Sequence, residues 1–292
     1  MDLFGYEFML RALTGALIIG LAAPALGIYL VQRRLSLIGD GIGHVALTGV
    51  GVGLLLQHSP VVTAVIVAAA GAVGVELVRE RGRTSGDLAL AMLFYGGIAG
   101  GVVLVGLSDD AGNASLIQYL FGSLTTTSTS DIVVIAVLGV AVLAAMLLLR
   151  PALFAVCNDE EYARVSGLPV RTLNLLLAVT TAVTVTIAMR TVGLLLVSAL
   201  MVVPVAAAQQ VTRGFRTTMS AAMVIGLVAA AGGVAVSAEV NTAPGATIVI
   251  LALAVFVALT VGGAVWRALR ARRSAAGAGS PDAEPSDVVL HG

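Results

Sequence analysis

The sequence predicts an all-α integral membrane protein, built as a bundle of about eight or nine transmembrane helices. Hydrophobic residues make up 59% of the chain, charged residues make up only 11%, and the mean hydropathy is +1.04. A soluble domain is closer to one-quarter charged. The apolar runs are long and continuous, whereas the strands of a membrane barrel alternate over about ten residues, so helices are expected rather than a β-barrel.

Nine apolar runs have about the twenty residues that a helix needs to cross a bilayer. The connecting segments are short, so no soluble domain is inserted, and residues 115–124 are expected to pack at the outer surface or to enter the membrane as a partial helix. We predict spanning helices over residues 8–31, 38–57, 60–78, 88–107, 131–150, 171–189, 192–211, 218–237 and 246–266.

The arginines predict the orientation in the membrane. Except for Arg11 and Arg190, they fall in alternate loops and at the C-terminal end. An excess of positive charge marks cytoplasmic loops, which places the N-terminus outside and the C-terminus in the cytoplasm. Residues 1–272 are then one transmembrane domain, and residues 273–292, rich in Ala, Gly, Ser and Pro, are expected to be a disordered cytoplasmic tail.

Three absences restrict the function. The chain has no lysine, so it contains no Walker A loop, and any ATP-driven work must come from a partner. Its single cysteine, Cys157, has no partner for an internal disulfide or a metal motif. The formal net charge is zero, so no nucleic-acid partner is expected.

The stretch RRLSLIGDGIGHVALTGVGVG, residues 33–53, contains the strongest candidate site. Asp40 and His44 are four residues apart, so on a helix they lie on one face, about one turn apart. Ionisable side chains inside a membrane are costly and indicate function by default, and this pair suits a divalent transition metal. Alternatively, Asp40 caps the helix and His44 is a packed core residue. Asp40 follows Arg34 so closely that the pair is expected nearer the inner face than the midplane.

Glycines surround this pair at a spacing of four residues. Small residues at that spacing let another helix approach closely. If that helix is the same one from a second copy, two carboxylates and two imidazoles meet at a two-fold axis, which suits Zn²⁺ or Mn²⁺. The glycines are Gly39, Gly43, Gly49 and Gly53.

A second informative stretch is the predicted cytoplasmic segment DEEYARVSGLPV. We predict a short helix from Asn158 to Ser166, capped by Asn158 or Asp159 and ended by Gly167. Acidic residues lead it and an apolar edge follows, so it is either a solvated loop helix or a helix that docks in the groove of a partner.

These segments resemble the membrane-spanning permease subunits of bacterial ABC importers for zinc, manganese and iron ions. The resemblance runs from about residue 10 to residue 266 and is carried by residues 33–53 together with GDLALAMLFYGGIAGG, YLFGSL, DEEYARVSGLPV and RTVGLLLVSALMVVPVAAAQQ. The second-helix motif of that family typically reads Gly-Asp-Ala-x-Ser-His. Here Gly41 and Gly43 replace the alanine and the serine, while the Asp and the His are kept. A serine hydroxyl at this position could hydrogen-bond to the metal ligands and orient them, so its absence affects which ion the site prefers.

The resemblance implies a type II-like permease in the bacterial plasma membrane. It implies a homodimeric pore, a cytoplasmic ABC ATPase on each subunit and an extracytoplasmic metal-binding protein, with Asp40 and His44 lining the path of the ion. It also implies that residues 158–167 are the coupling helix that contacts the ATPase. The coupling residues would be Asp159, Glu160, Glu161, Tyr162, Ala163, Arg164 and Gly167.

The hypothesis from the sequence is therefore ATP-driven import of Zn²⁺ or Mn²⁺, with Fe²⁺ as a further candidate. The chain itself is expected to be no enzyme and to hold no permanent cofactor. The alternatives are a permease for a chelated metal, a siderophore or cobalamin, and a secondary metal transporter driven by protons or sodium. A membrane metalloenzyme is disfavoured, because one Asp and one His without a third ligand fall short of a catalytic site.

Overall fold

The computed structural model describes residues 7–80, 86–108, 118–122, 129–240 and 242–277, and the regular structure within these ranges is helical throughout. Residues 118–121 form a single helical turn. In chain order the helices are α1 (Glu7–Gln32), α2 (Ile38–Leu55), α3 (Pro60–Glu80), α4 (Gly86–Gly106), α5 (Thr129–Leu148), α6 (Arg150–Asn158), α7 (Glu160–Val165), α8 (Val170–Thr191), α9 (Leu194–Gln209), α10 (Phe215–Val240) and α11 (Pro244–Gly277).

The helical bundle predicted from the apolar runs is confirmed. In the described ranges, seven helices are long and apolar enough to cross a membrane: α1 to α4, α8, α10 and α11. Helices α5 and α6 are apolar enough only as a pair, bent by 67° at the break between them, and they are an eighth span if the pair crosses as one. Helix α9 has 16 residues, about 24 Å at 1.5 Å per residue. It is therefore shorter than the predicted run 192–211 and shorter than a bilayer core of about 30 Å.

Two helices cover residues that were predicted to be a connecting segment or the disordered tail. Residues 150–158, expected to belong to a connection, form α6, with Pro151 in the first turn, where its missing N–H costs no helical hydrogen bond. Helix α11 continues to Gly277, past the expected start of the tail at residue 273. The rest of the tail, residues 278–292, lies outside the described residues.

The break between α8 and α9 is made by a glycine. Gly193 has φ +93°, a conformation that favours glycine. A Cβ built on it would lie 2.4 Å from the carbonyl carbon of Phe121. The described part of the segment 115–124 therefore packs directly against this break.

Helix α2 lies inside the bundle, against α3, α4, α8 and α9. It approaches two of these neighbours backbone to backbone. A Cβ on Gly97 of α4 would lie 2.6 Å from the carbonyl carbon of His44, and a Cβ on Gly49 would lie 2.6 Å from the Cα of Ala64 on α3. Because closely packed helices cannot shift independently, α2 is expected to move together with its neighbours α3 and α4.

Several helix ends meet at one end of the bundle, which we call the basic end. It contains Arg33 after α1, Arg79 in α3, and Arg171 in α8. An ion pair joins α3 to α8, since Arg171 Nε lies 3.2 Å from Glu80 Oε2. Arg79 is paired within α3, with its Nη2 2.7 Å from Glu76 Oε1. The short helix α7 lies at the same end.

Candidate metal site on α2

Asp40 and His44 lie in the first two turns of α2, close to the basic end. The helix is continuous from Ile38 to Leu55, so the two side chains are one turn apart on one face, as predicted. Asp40 does not cap the helix, because the N-cap position is Leu37 and no side chain accepts a hydrogen bond there. The explanation of Asp40 as a helix cap is therefore wrong.

The face that carries the pair is the less covered face of α2. Asp40, His44 and Thr48 follow one another at intervals of four residues, and all three side chains are half-buried, whereas the neighbouring positions Ile42, Ala46 and Leu47 are buried. Part of this face thus remains open to an ion or to another chain.

The hydrogen-bond partner of Asp40 comes from α9. The hydroxyl of Ser198 donates to Asp40 Oδ1, and Ser198 is only 8% exposed. Gly39 faces the same residue, since a Cβ there would lie in ordinary van der Waals contact with the Cβ of Ser198, at 3.4 Å. Sequence reasoning missed Ser198, because a lone hydroxyl in an apolar helix usually bonds to its own backbone.

The His44 ring packs against Phe94 of α4, with ring centroids 4.6 Å apart and an interplanar angle of 78°. Its Nδ1 is buried and has no hydrogen-bond partner. Every other buried side-chain nitrogen or oxygen of the described residues has one. Buried polar atoms are nearly always paired, so an unpaired one indicates an unfilled site or function. A neutral imidazole nitrogen of this kind can bind a metal ion.

One chain provides two candidate metal ligands at this site, Asp40 and His44. No group of three or more His, Cys, Asp or Glu side chains that could hold a metal is found in the described ranges. Zn²⁺ usually takes four ligands and Mn²⁺ more, so the remaining positions need water or a second chain. The donor set of one carboxylate and one imidazole suits these ions, and the Ser198 hydroxyl orients the carboxylate.

The glycines of α2 do not meet a second copy, because neighbouring helices of the same chain fill the space beside them. Gly39 faces Ser198 of α9, Gly43 faces Leu194 of α9, and Gly53 faces Thr63 of α3. The small-residue spacing therefore explains packing within one subunit. If a second copy meets α2, the half-buried face of Asp40, His44 and Thr48 is the part of α2 open to it.

The predicted coupling helix is α7, at the basic end. The Asp159 side chain caps it by accepting a hydrogen bond of 2.9 Å from the backbone N–H of Tyr162. Gly167, with φ +82°, ends it, and the N–H of Leu168 donates to the carbonyl oxygen of Ala163 at 3.1 Å. The predicted cap and stop are both confirmed, and the helix is slightly shorter than expected.

The coupling residues divide into an inner and an outer group. Ala163 is buried, and Glu160 contacts Arg33 of the bundle. Tyr162 is 68% exposed and Val165 is 88% exposed, which leaves an uncovered apolar edge, and Glu161 and Arg164 are exposed beside it. The helix thus has one face on the bundle and one face open to a partner.

Comparison with known proteins agrees over most of the chain. The model of the ABC 3 transport family matches residues 5–262. The high-affinity zinc uptake system membrane protein ZnuB of Haemophilus influenzae is 28% identical over 252 residues, covering 86% of this chain and 96% of that protein. The manganese transport system membrane protein MntC of Halalkalibacterium halodurans is 30% identical over 255 residues, covering 87% of each.

A solved structure has the same fold. PsaBC from Streptococcus pneumoniae, in complex with Fab, superposes with a TM-score of 0.79 at 25% identity, covering 88% of this chain and 92% of that chain. The helical bundle, the matched family and these relatives lead to one conclusion: the chain belongs to the ABC 3 transport family, as a membrane permease of its metal transport systems.

Proposed function

We propose that this chain is the transmembrane subunit of an ATP-driven importer of divalent transition-metal ions, Zn²⁺ or Mn²⁺, with Fe²⁺ as a further candidate. Two copies form the pore, each binds one cytoplasmic ABC ATPase, and an extracytoplasmic metal-binding protein delivers the ion. The observation that carries the proposal is the intramembrane pair of Asp40 and His44, with its unpaired imidazole nitrogen.

The ion is the transported substrate. After delivery it sheds water, binds between Asp40 and His44 of the two copies, and leaves toward the cytoplasm. A site divided between two chains supports release, because separating the chains removes half of its ligands. The half-buried face of α2 supports this arrangement, since the side chains of Asp40 and His44 are only partly covered by their own chain.

The basic end is the cytoplasmic end, with the N-terminus outside and the C-terminus inside a bacterial plasma membrane. Two features support this orientation. Cytoplasmic loops of membrane proteins are rich in arginine, and the exposed apolar edge of α7 lies at this end, where an ATPase would bind. The missing lysine supports a separate ATPase, because the chain has no phosphate-binding loop of its own.

The test is uptake of each ion by vesicles containing this chain with its ATPase and binding protein. Asp40→Asn and His44→Gln are expected to reduce uptake by more than about 100-fold, since even the hydrogen-bond partners of metal ligands contribute about 10- to 100-fold. His58→Gln is the matched control, because His58 is an exposed residue between α2 and α3. All three variants should still bind the ATPase.

Three results would contradict the proposal. Normal uptake by both Asp40→Asn and His44→Gln would remove the site. Uptake by the chain alone without ATP would identify a secondary transporter. Stimulation of the ATPase only by chelated metal, and not by the delivered ions, would identify a permease for a siderophore or cobalamin.

A further inference from the structure

One buried guanidinium joins three distant parts of the chain at the basic end. Arg33, in the turn between α1 and α2, donates through Nη1 to Asn174 Oδ1 at 2.8 Å. Through Nη2 it donates to Glu160 Oε2 at 3.4 Å. Asn174 belongs to α8, and Glu160 is the first residue of α7. The turn that leads into α2 is therefore bonded directly to the helix proposed to contact the ATPase.

Stability alone does not account for this contact. The Arg33 side chain is 7% exposed. Burial lowers the pKa of its guanidinium, and nearby Arg79 lowers it further, but an arginine stays charged in proteins. Well-packed apolar residues are often as stable as a buried ion pair, or more so. A specific role in fixing the position of one segment against another explains the charge better.

The turn is tight enough to transmit a displacement. Arg34 has φ +58°. The N–H of Leu35 donates to the carbonyl oxygen of Leu30 at 2.8 Å, and the N–H of Ile38 donates to the carbonyl oxygen of Leu35 at 3.0 Å. These bonds connect Arg33 to the first residue of α2 without a flexible linker. Asp40 follows in that first helical turn.

Glu160 lies on the α7 side of the contact with Arg33. Its carboxylate accepts from Arg33 through Oε2 and lies 3.5 Å from Nη2 of Arg164, four residues along α7, through Oε1. Its side chain is 41% exposed. Glu160 is the first residue of α7, so movement of α7 moves the carboxylate that Arg33 contacts.

We propose that Arg33 is a positioning residue that transmits displacement of α7 to α2, and so changes the geometry of Asp40 and His44 when the ATPase changes state. This inference rests on the proposed function. It makes Arg33 and Glu160 part of the coupling between ATP hydrolysis and ion release, in addition to the surface of α7 that faces the ATPase.

The experiment measures uptake of the delivered ion and ATP hydrolysis in the same vesicles containing the full complex. The variants are Arg33→Met, Glu160→Gln and the double variant. Arg34→Met is the matched control, because Arg34 is the neighbouring arginine and is exposed. The amount of ATPase that copurifies with each variant is measured as well.

Both single variants are expected to lower the number of ions moved per ATP by about 5- to 150-fold, the usual range for coupling between two sites. In Arg33→Met, ATP hydrolysis and bound ATPase should stay within about twofold of the wild type. The double variant should be no worse than Arg33→Met alone, because the contact that Glu160→Gln weakens is already lost in Arg33→Met. Arg34→Met should behave as the wild type.

Several results would overturn the inference. An unchanged ratio of ions to ATP would remove the coupling role. A loss of uptake that accompanies a loss of bound ATPase or of folded protein would assign Arg33 a structural role only. Losses that multiply in the double variant would show two independent effects. If the wild-type complex moves none of the three ions, the proposed function itself fails, and that outcome is distinct from normal coupling in the variants.

Discussion

The hydroxyl of Ser198 is expected to contribute measurably to metal binding, and Ser198→Ala tests this. The substitution removes the hydrogen bond to Asp40 Oδ1 and little else, since alanine lacks only the hydroxyl oxygen. A hydrogen bond to a charged group contributes about 1.5–3 kcal/mol. Ser198 is only 8% exposed, so water replaces the lost bond poorly and the effect should lie in the upper half of that range.

If the whole effect appears in binding, the affinity for Zn²⁺ or Mn²⁺ falls by about 40- to 140-fold, at about 1.4 kcal/mol for each factor of ten. This is near the upper end of the effect of other residues that orient metal ligands. The assay is titration of the purified complex with each ion, together with its thermal unfolding. Ser237→Ala is the matched control, because Ser237 is also buried and donates to the Thr242 carbonyl oxygen at 2.5 Å, away from the site. The reasoning is refuted if Ser198→Ala binds each ion as the control does.

The remaining predictions concern packing and the coupling helix. Gly97→Ala should destabilise the protein by about 1–3 kcal/mol and reduce uptake, because its Cβ would lie 2.6 Å from the His44 carbonyl carbon. Thermal unfolding measures the loss, and Gly96→Ala is the control, because nothing lies within 4 Å of a Cβ there. Asp159→Ala should cost about 0.5–2 kcal/mol through loss of the cap of α7, and Gly167→Ala about 1–2 kcal/mol through its left-handed backbone. Both variants should reduce the amount of ATPase that copurifies with the chain. An unchanged amount in both would show that binding of the ATPase does not depend on an ordered α7.

Periodicity and turn chemistry were enough to predict the local structure of α2 and α7. The spacing of Asp40 and His44 places them on one face of any helix, and Asp159 and Gly167 are typical cap and stop residues, so their roles depend only on neighbouring residues. The break at Gly193 was harder to locate, because the apolar run continues on both sides of it. Helix α6 was missed since PALFAVCN is too short to span and begins with a proline.

The contacts between distant segments could not be predicted in the same way. The glycines of α2 indicated a close neighbour, but the same spacing fits a second copy or a helix of the same chain. The structure places α3 and α9 of the same chain beside them. Ser198, Phe94 and Asn174 carry no local signal, because a serine, a phenylalanine and an asparagine in apolar helices have many ordinary roles.

The sequence by itself therefore determined the membrane class, the positions of most helices, the shared face of Asp40 and His44 and the cap of α7, because hydrophobicity, helical period and caps act over a few residues. The tertiary structure decided which side chains complete the site and what links it to α7. Ser198 reaches Asp40 across 158 positions of the chain, and Arg33 reaches Glu160 across 127. Such pairs form only when the packing of whole helices, fixed by close backbone contacts at glycines, brings their side chains together.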